Sequence, residues 1–194
     1  MPEAFSVQTL YFRTRGPENT EALLAHASRR ARELGLRKVV VATSSGETAR
    51  RALAFFPAPD FQVVAVSGVT GFEEADVQEL SDEARAGLEA AGAKVVTAAH
   101  AFGGVGRGIR NKLKTYQVDE IMAHTLRLFG QGTKVALEVS YMACDRGWVR
   151  TDEDVLAIAG SESGADTALV LRPANSHRCL DAVVREVVAK PWNP

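Results

Sequence analysis

The chain has 194 residues, of which 46% are hydrophobic and 24% are charged, and its formal net charge at pH 7 is -1. This length fits one domain with a sizeable core, which we place at residues 1–194. The near-neutral charge argues against binding to nucleic acid or to an anionic membrane surface, and no run reaches the roughly 20 apolar residues of a membrane helix.

The remaining composition favours a protein of the cytoplasm. The start of the sequence, Met1 to Ala4, lacks the basic and apolar regions of a signal peptide. Cys144 and Cys179 are too few for a disulfide scaffold. The histidines are scattered without the spacing of metal ligands, so no metal site is expected. We expect a cytoplasmic enzyme or small-molecule-binding protein, and the sequence leaves a homo-oligomer open.

The first half of the sequence alternates predicted strands and helices. Apolar, β-branched runs predict strands at 7–12, 38–42 and 62–67. Asn19 is a suitable N-cap for the first helix, and Gly35 can end that helix in a left-handed conformation. Gly92 ends the helix that follows the third strand in the same way. This repeated strand–helix–strand unit predicts an α/β fold: a mostly parallel sheet between two helical layers, a three-layer α/β/α sandwich.

The second half is less regular. Strands are predicted at 95–99, 134–143, 155–159 and 168–171, and a helix at 119–129. The segment 183–188 fits either a strand or a helix. The glycine-rich stretch 103–108 reads as a mobile connection, with an anion-binding loop that uses Arg107 as the alternative. It lacks the third glycine of a dinucleotide fingerprint, because Ile109 stands at that position.

A strand-to-helix junction at 39–49 is the most informative stretch. The apolar run ends at Thr43, Ser44, Ser45 and Gly46, and a helix-forming stretch follows. The free N–H groups of a first helical turn, with hydroxyls beside them, form a natural cradle for a phosphate. Serine and threonine also cap helices that bind nothing, so a purely structural junction is the alternative.

Other candidate residues follow from the position of ligands in open α/β sheets. Such ligands bind outside the carboxyl ends of the parallel strands. This rule brings four predicted loops to one edge: 43–48, 67–72, 99–108 and 142–147. The second loop offers close backbone approach at Gly71 and an aromatic face at Phe72, or is simply a turn with a buried ring. His100 is the one histidine expected at this edge.

Two acidic residues are further candidates. Glu138 falls in the apolar segment predicted as a strand, where a buried carboxylate needs a partner or a proton. Asp166 lies in a polar loop, 160–167, which could contact a polar ligand or form an ordinary surface turn. The predicted ligand-binding residues are Thr43, Ser44, Ser45, Gly46, Glu47, Thr48, Thr70, Gly71, Phe72, His100, Gly104, Gly106, Arg107, Glu138, Gly164, Asp166 and Thr167. No catalytic residue is identified.

The junction residues Thr43 to Ala49 resemble a turn in the C-terminal α/β domain of pyruvate kinases, Thr-x-Ser-Gly-x-Ser/Thr-Ala. In some kinases that turn grips a phosphate of a sugar bisphosphate. Nearly the whole chain resembles the stand-alone pyruvate kinase α/β domain-like proteins of archaea and bacteria. Further motifs that carry this resemblance lie at 16–20, 104–109, 142–145 and 164–171.

The resemblance implies a nucleotide-like phosphorylated ligand, flavin mononucleotide (FMN). It does not imply pyruvate kinase activity, because that chemistry belongs to a barrel of roughly 250 residues. Ser44 and Glu47 stand where kinases often carry a basic residue, so control by a sugar bisphosphate is not expected. The alternatives are a non-catalytic regulatory or assembly module that responds to a phosphorylated metabolite and, last, a sugar-phosphate isomerase or phosphatase.

Overall fold

The computed structural model describes residues 4–193, so the signal-peptide expectation at Met1 to Ala4 falls mostly outside it. One seven-stranded sheet has the order β1-β7-β6-β5-β2-β3-β4. The strands are β1 (Leu10–Thr14), β2 (Lys38–Ala42), β3 (Gln62–Ser67), β4 (Lys94–Thr97), β5 (Val155–Ala159), β6 (Thr167–Arg172) and β7 (Val183–Asn193). The helices are α1 (Thr20–Glu33), α2 (Glu47–Phe55), α3 (Asp82–Ala90), α4 (Val105–Leu113), α5 (Val118–Arg127) and α6 (Gln131–Asp145).

The central strands of the sheet are buried on both faces, which confirms the predicted three-layer α/β sandwich. Val39 and Val41 of β2 pack with α1, α2 and α3, whereas Val40 between them packs with α5 and α6. This alternation follows from the two-residue period of a strand. The sheet is mostly parallel, because only the pairs β5–β6 and β6–β7 are antiparallel.

The sequence patterns correctly predicted most strands and helix ends in the first half of the chain. The strands at 38–42 and 62–67 have the predicted bounds, and Gly35 and Gly92 adopt positive φ of 66° and 90° after their helices. The first strand begins at Leu10 rather than at Val7. The ambiguous segment 183–188 is a strand, the first part of β7, and pairs with β6, whereas β1 pairs with the later residues 189–193 of β7.

The predicted strand at 134–143 is wrong: these residues lie in helix α6. Twelve residues of α6 are buried, on all sides of the helix. A helix that is apolar all round loses the 3.6-residue pattern by which helices are recognised, so its apolar run reads equally well as a buried strand. Glu138 therefore projects from a helix.

Two loops also differ from expectation. The stretch at 103–108 is not a mobile connection throughout, because α4 begins at Val105. The segment 142–147 is the end of α6 and its following turn, not a loop after a strand. The Lys38 ammonium at the start of β2 donates to the carbonyl of Trp148 at 3.4 Å, so this turn lies toward the amino end of the parallel strands.

None of the helices within residues 4–193 is both long enough and apolar enough to cross a bilayer. In the same part of the chain, no three His, Cys, Asp or Glu side chains come together in a way that could hold a metal ion.

Candidate functional site

A cleft of about 740 Å³ opens at the carboxyl edge of the parallel strands. Its walls include the turns after β2, β3 and β4, as the sequence predicts. The β5–β6 turn supplies the fourth loop, and of the predicted segment 142–147 Met142 alone lines the cleft. Ten of the predicted residues line the cleft: Thr43, Ser44, Ser45, Glu47, Thr48, Phe72, His100, Arg107, Glu138 and Gly164. Seven do not: Gly46, Thr70, Gly71, Gly104, Gly106, Asp166 and Thr167.

The turn before α2 places the N-terminus of that helix in the cleft. Gly46 precedes the helix with φ of 94°, and no side chain of the described residues caps the first turn. The hydroxyl-bearing Ser44 and Ser45 are exposed at this point. Unpaired N–H groups at a helix start carry partial positive charge and attract anions.

Gly46 itself has a structural role. Its backbone N–H donates to Oγ1 of Thr43 at 3.0 Å, so that amide is already used by the protein. A Cβ added at Gly46 would lie 3.0 Å from Cδ1 of Leu80. Gly46 is therefore required for the shape of the turn, and the amides that stay available belong to the residues after it.

Glu47, the first residue of α2, forms a surface ion pair with Arg50 at 2.8 Å. The Arg50 hydrogen bonds hold the pKa of Glu47 below its usual value, so its carboxylate is charged at neutral pH. The partner removes much of the repulsion that this carboxylate would exert on an anion in the cleft.

The turn after β3 is built by its own hydrogen bonds. Thr70 Oγ1 accepts from Gln78, and the N–H of Gly71 donates to the carbonyl of Val77 at 2.8 Å. Phe72 alone of the three predicted residues lines the cleft. Its ring meets the His100 ring edge to face at 4.3 Å, and the Arg107 guanidinium lies 5.0 Å from its centre.

His100 is half-buried beside this ring. Burial lowers the pKa of its imidazole, and the nearby Lys134 and Arg107 lower it further, whereas Glu138 acts in the opposite direction. The imidazole is therefore predominantly neutral at pH 7. Within residues 4–193, no protein group forms a hydrogen bond with its ring nitrogens. His100 can thus exchange a proton or a hydrogen bond with a ligand.

A buried ion pair forms the base of the cleft. Lys134 and Glu138 lie one turn apart on α6, each only 3% exposed, and the ammonium donates to Oε2 of the carboxylate. Oε1 accepts the backbone N–H of Phe102 at 2.9 Å. Burial lowers the pKa of Lys134, and the Glu138 charge partly offsets that effect. The sequence identified Glu138 as needing a partner but assigned the wrong secondary structure, so Lys134 was missed.

Basic side chains gather on the α4–α6 side of the cleft. Arg107, Arg127 and Lys134 line it, and both arginines are close enough to Lys134 to lower its pKa. Among the described residues neither arginine has an ion-pair partner, although Nε of Arg127 donates to Gln131 at 2.6 Å. Sequence reasoning found only Arg107. Lys134, four residues before Glu138, would have been found had 131–145 been read as a helix. Arg127 ends the preceding helix α5, so no spacing along one helix relates it to that pair.

Asp166 and Thr167 position the β5–β6 turn. Asp166 is 1% exposed and accepts from the hydroxyls of Ser161 and Thr167, each at 2.8 Å. It also accepts the N–H of Gly16 at 3.4 Å, which ties this turn to the segment before α1. The residues of the turn that face the cleft are Gly160, Ser161, Glu162, Ser163 and Gly164.

A family model described as "Pyruvate kinase, alpha/beta domain" matches residues 21–171, more than half of the chain. The matched region extends from α1 into β6. It contains the turn before α2, the loops after β3 and β4, helix α6 and the β5–β6 turn, which are the elements that form the cleft.

Proposed function

The chain belongs to the pyruvate kinase alpha/beta domain family, and from this premise we propose that it binds a phosphorylated, nucleotide-like molecule, FMN, in the cleft. The observation that carries the proposal is the uncapped first turn of α2, which opens beside exposed serine hydroxyls into a space of about 740 Å³. Spaces of roughly 300–1,000 Å³ accommodate small organic ligands and cofactors.

The phosphate would lie on the first turn of α2. The amides of Glu47 and Thr48 and the hydroxyls of Ser44 and Ser45 are the donors that this turn offers, while the Gly46 amide is already paired. A helix N-terminus stabilises an anion through its free N–H groups and its dipole.

The rest of the ligand would extend toward the basic side of the cleft. Arg107 and Arg127 lack ion-pair partners among residues 4–193, so they would attract an anionic ligand without first breaking a salt bridge. Ser161 and Ser163 on the opposite turn can exchange hydrogen bonds with ribityl or ribose hydroxyls. The edge of Phe72 offers an apolar contact for a ring, next to the neutral His100.

A bound flavin would supply redox chemistry, and the protein would orient it and tune its environment. The residues that line the cleft would hold and position such a ligand. Purified protein that absorbs near the yellow flavin band, and releases FMN identified by mass spectrometry, would support this proposal. A colourless protein whose melting temperature does not change when FMN is added would contradict it.

A matched pair of variants tests the phosphate position. Ser45→Asp puts a carboxylate in the expected anion site and should remove the stabilisation by FMN. Ser81→Asp makes the same change at the N-cap of α3, where Ser81 accepts from Ala84 and an aspartate caps equally well. That control should keep full FMN binding. Equal FMN binding by both variants would contradict the assigned phosphate site.

A second candidate is a regulatory or assembly module that responds to a phosphorylated metabolite. The Lys134–Glu138 pair favours this candidate. The two side chains form an ion pair with each other and are therefore not free to act as a general acid and a general base. This candidate predicts stabilisation by a phosphorylated metabolite and no turnover of that metabolite. A sugar-phosphate isomerase or phosphatase ranks third, and release of product from a sugar phosphate would favour it.

A further inference from the structure

Arg107 lines the cleft with a buried donor that the protein does not use. Its Nε–H has no hydrogen-bond partner among residues 4–193. Within the same residues Arg107 forms no ion pair, unlike Arg110 three residues later, which pairs with Glu120 at 3.0 Å. An unpaired buried donor is costly, and a ligand oxygen on the guanidinium would offset that cost.

Two packing contacts fix the position of this guanidinium. Nη2 of Arg107 lies 2.8 Å from where a Cβ on Gly103 would be, so the guanidinium packs on the backbone of that glycine. The guanidinium also lies 5.0 Å from the centre of the Phe72 ring. A planar guanidinium can donate two parallel hydrogen bonds to one carboxylate, and a fixed position lowers the entropy lost when they form.

His100 lies against the other residue of this group, Phe72, with its ring 4.3 Å from the Phe72 ring. Its Nε2 is beside Gly68, which has no side chain to cover it. A neutral imidazole carries one N–H donor and one acceptor nitrogen. Arg107 and His100 therefore both contact the Phe72 ring and both offer donors, while the ring offers an apolar surface.

The charges of the cleft favour a group with a single negative charge here. Of the charged residues in the lining, ion-pair partners are found for Glu47, Arg51, Lys134, Glu138 and Glu162. Arg107, Arg127 and the exposed Glu73 are the remaining charges. A phosphate carries a charge of about -1.5 to -2 at pH 7, and Glu73 and Glu138 would repel a dianion more than a monoanion.

The phosphorylated ligand leaves Arg107 without a counter-charge beside it. Its phosphate is expected on the first turn of α2, and the ring of oxidised FMN is uncharged. We propose that Arg107 and His100 form a subsite for the carboxylate of a second small molecule, whose apolar part packs on Phe72. The subsite depends only on residues of this chain, whereas its occupation together with FMN rests on the proposed function.

Benzoate and its uncharged counterpart benzamide test this proposal on the full chain. Calorimetric titration should show benzoate binding about tenfold or more tightly than benzamide, because only benzoate can pair with Arg107. Arg107→Gln should lose about tenfold or more of the benzoate affinity, and it should stay folded because it breaks no ion pair. Arg29→Gln is the matched control, since Arg29 is exposed on α1 and outside the lining. It should bind benzoate as the unaltered protein does.

The proposal is overturned if benzoate does not bind, if benzamide binds as tightly, or if Arg107→Gln binds benzoate normally. Displacement of benzoate by FMN would also overturn it, because the two ligands would then share one site. Simultaneous binding of FMN and benzoate supports it, and Ser45→Asp should lose FMN and keep benzoate. If benzoate binding depends on Arg107 but the unaltered protein does not bind FMN, only the proposed function fails.

Discussion

The carboxylate of Glu138 accepts the backbone N–H of Phe102 at 2.9 Å, which joins helix α6 to the loop after β4. The other oxygen of the same carboxylate accepts from Lys134. Together these two bonds fix the base of the cleft, because they hold the loop that carries His100 to Glu138 and Lys134 of α6. They also make Glu138 sensitive to substitution.

Replacing Glu138 with glutamine should destabilise the fold strongly. The substitution leaves a buried ammonium without its counter-charge, a change that typically costs about 3–5 kcal/mol. Urea unfolding followed by circular dichroism measures this loss. The double variant Lys134→Met/Glu138→Leu removes both charges and should be clearly more stable than Glu138→Gln. A double variant that is no more stable would mean that the ion pair is not the cause.

Protonation of His100 should lower the stability of the protein at acidic pH. Its folded-state pKa is below the unfolded value of 6.5, so the unfolded chain binds the proton first. Stability is therefore complete above about pH 7 and is lost as the pH falls from about 6.5 through the folded-state pKa. Unfolding curves of unaltered protein and His100→Gln at several pH values measure the difference.

Phe72→Leu serves as the control for this pH dependence. It removes the aromatic contact at 4.3 Å but keeps the imidazole, so the loss of stability in acid should persist. If His100→Gln shows the same acid-induced loss as the unaltered protein, other groups are responsible for it.

Gly46→Ala should destabilise the turn before α2. The φ of 94° disfavours any side chain, and the new methyl would lie 3.0 Å from Leu80. We expect a loss of about 1–3 kcal/mol, the usual range for backbone strain. Gly87→Ala is the control: Gly87 lies inside α3 with nothing within 4 Å, and alanine there should stabilise by about 0.5–1 kcal/mol. Thermal unfolding of the two variants should shift in opposite directions.

Arg127→Gln should weaken FMN binding without lowering stability, because the arginine lines the cleft and has no ion-pair partner among residues 4–193. We expect about a tenfold loss of affinity, measured by fluorescence or calorimetry. Arg29→Gln is the control, since Arg29 is exposed on α1 and outside the cleft lining. An equal or larger loss of affinity for Arg29→Gln would contradict the proposed role of Arg127.

The two cysteines should differ in reactivity. Burial raises the pKa of the Cys144 thiol to about 11, so little thiolate is present at pH 8. Cys179 is only partly buried. Iodoacetamide at pH 8 should therefore label Cys179 well before Cys144, which peptide mass spectrometry can follow over time. Labelling of both at equal rates would show that α6 opens readily.

Helix α6 shows why part of the site escaped sequence analysis. Lys134 and Glu138 are four residues apart, a spacing that places two side chains on one face of a helix. That local signal was present, but the apolar residues around it match a buried strand equally well. The packing of α6 against the sheet and α5 decided between them, since a fully covered helix needs no polar face.

The sequence by itself determined the strands β2, β3 and β5, the glycines that end α1 and α3, and the turn before α2. Each depends on a few neighbouring residues whose conformational preferences are local. Only the tertiary structure decided that 131–145 is a helix and that Arg107, Arg127 and Lys134 converge on one cleft. It also decided that the β5–β6 turn replaces 142–147 at the ligand edge. These features depend on contacts between residues far apart in the chain, which no local pattern of side chains encodes.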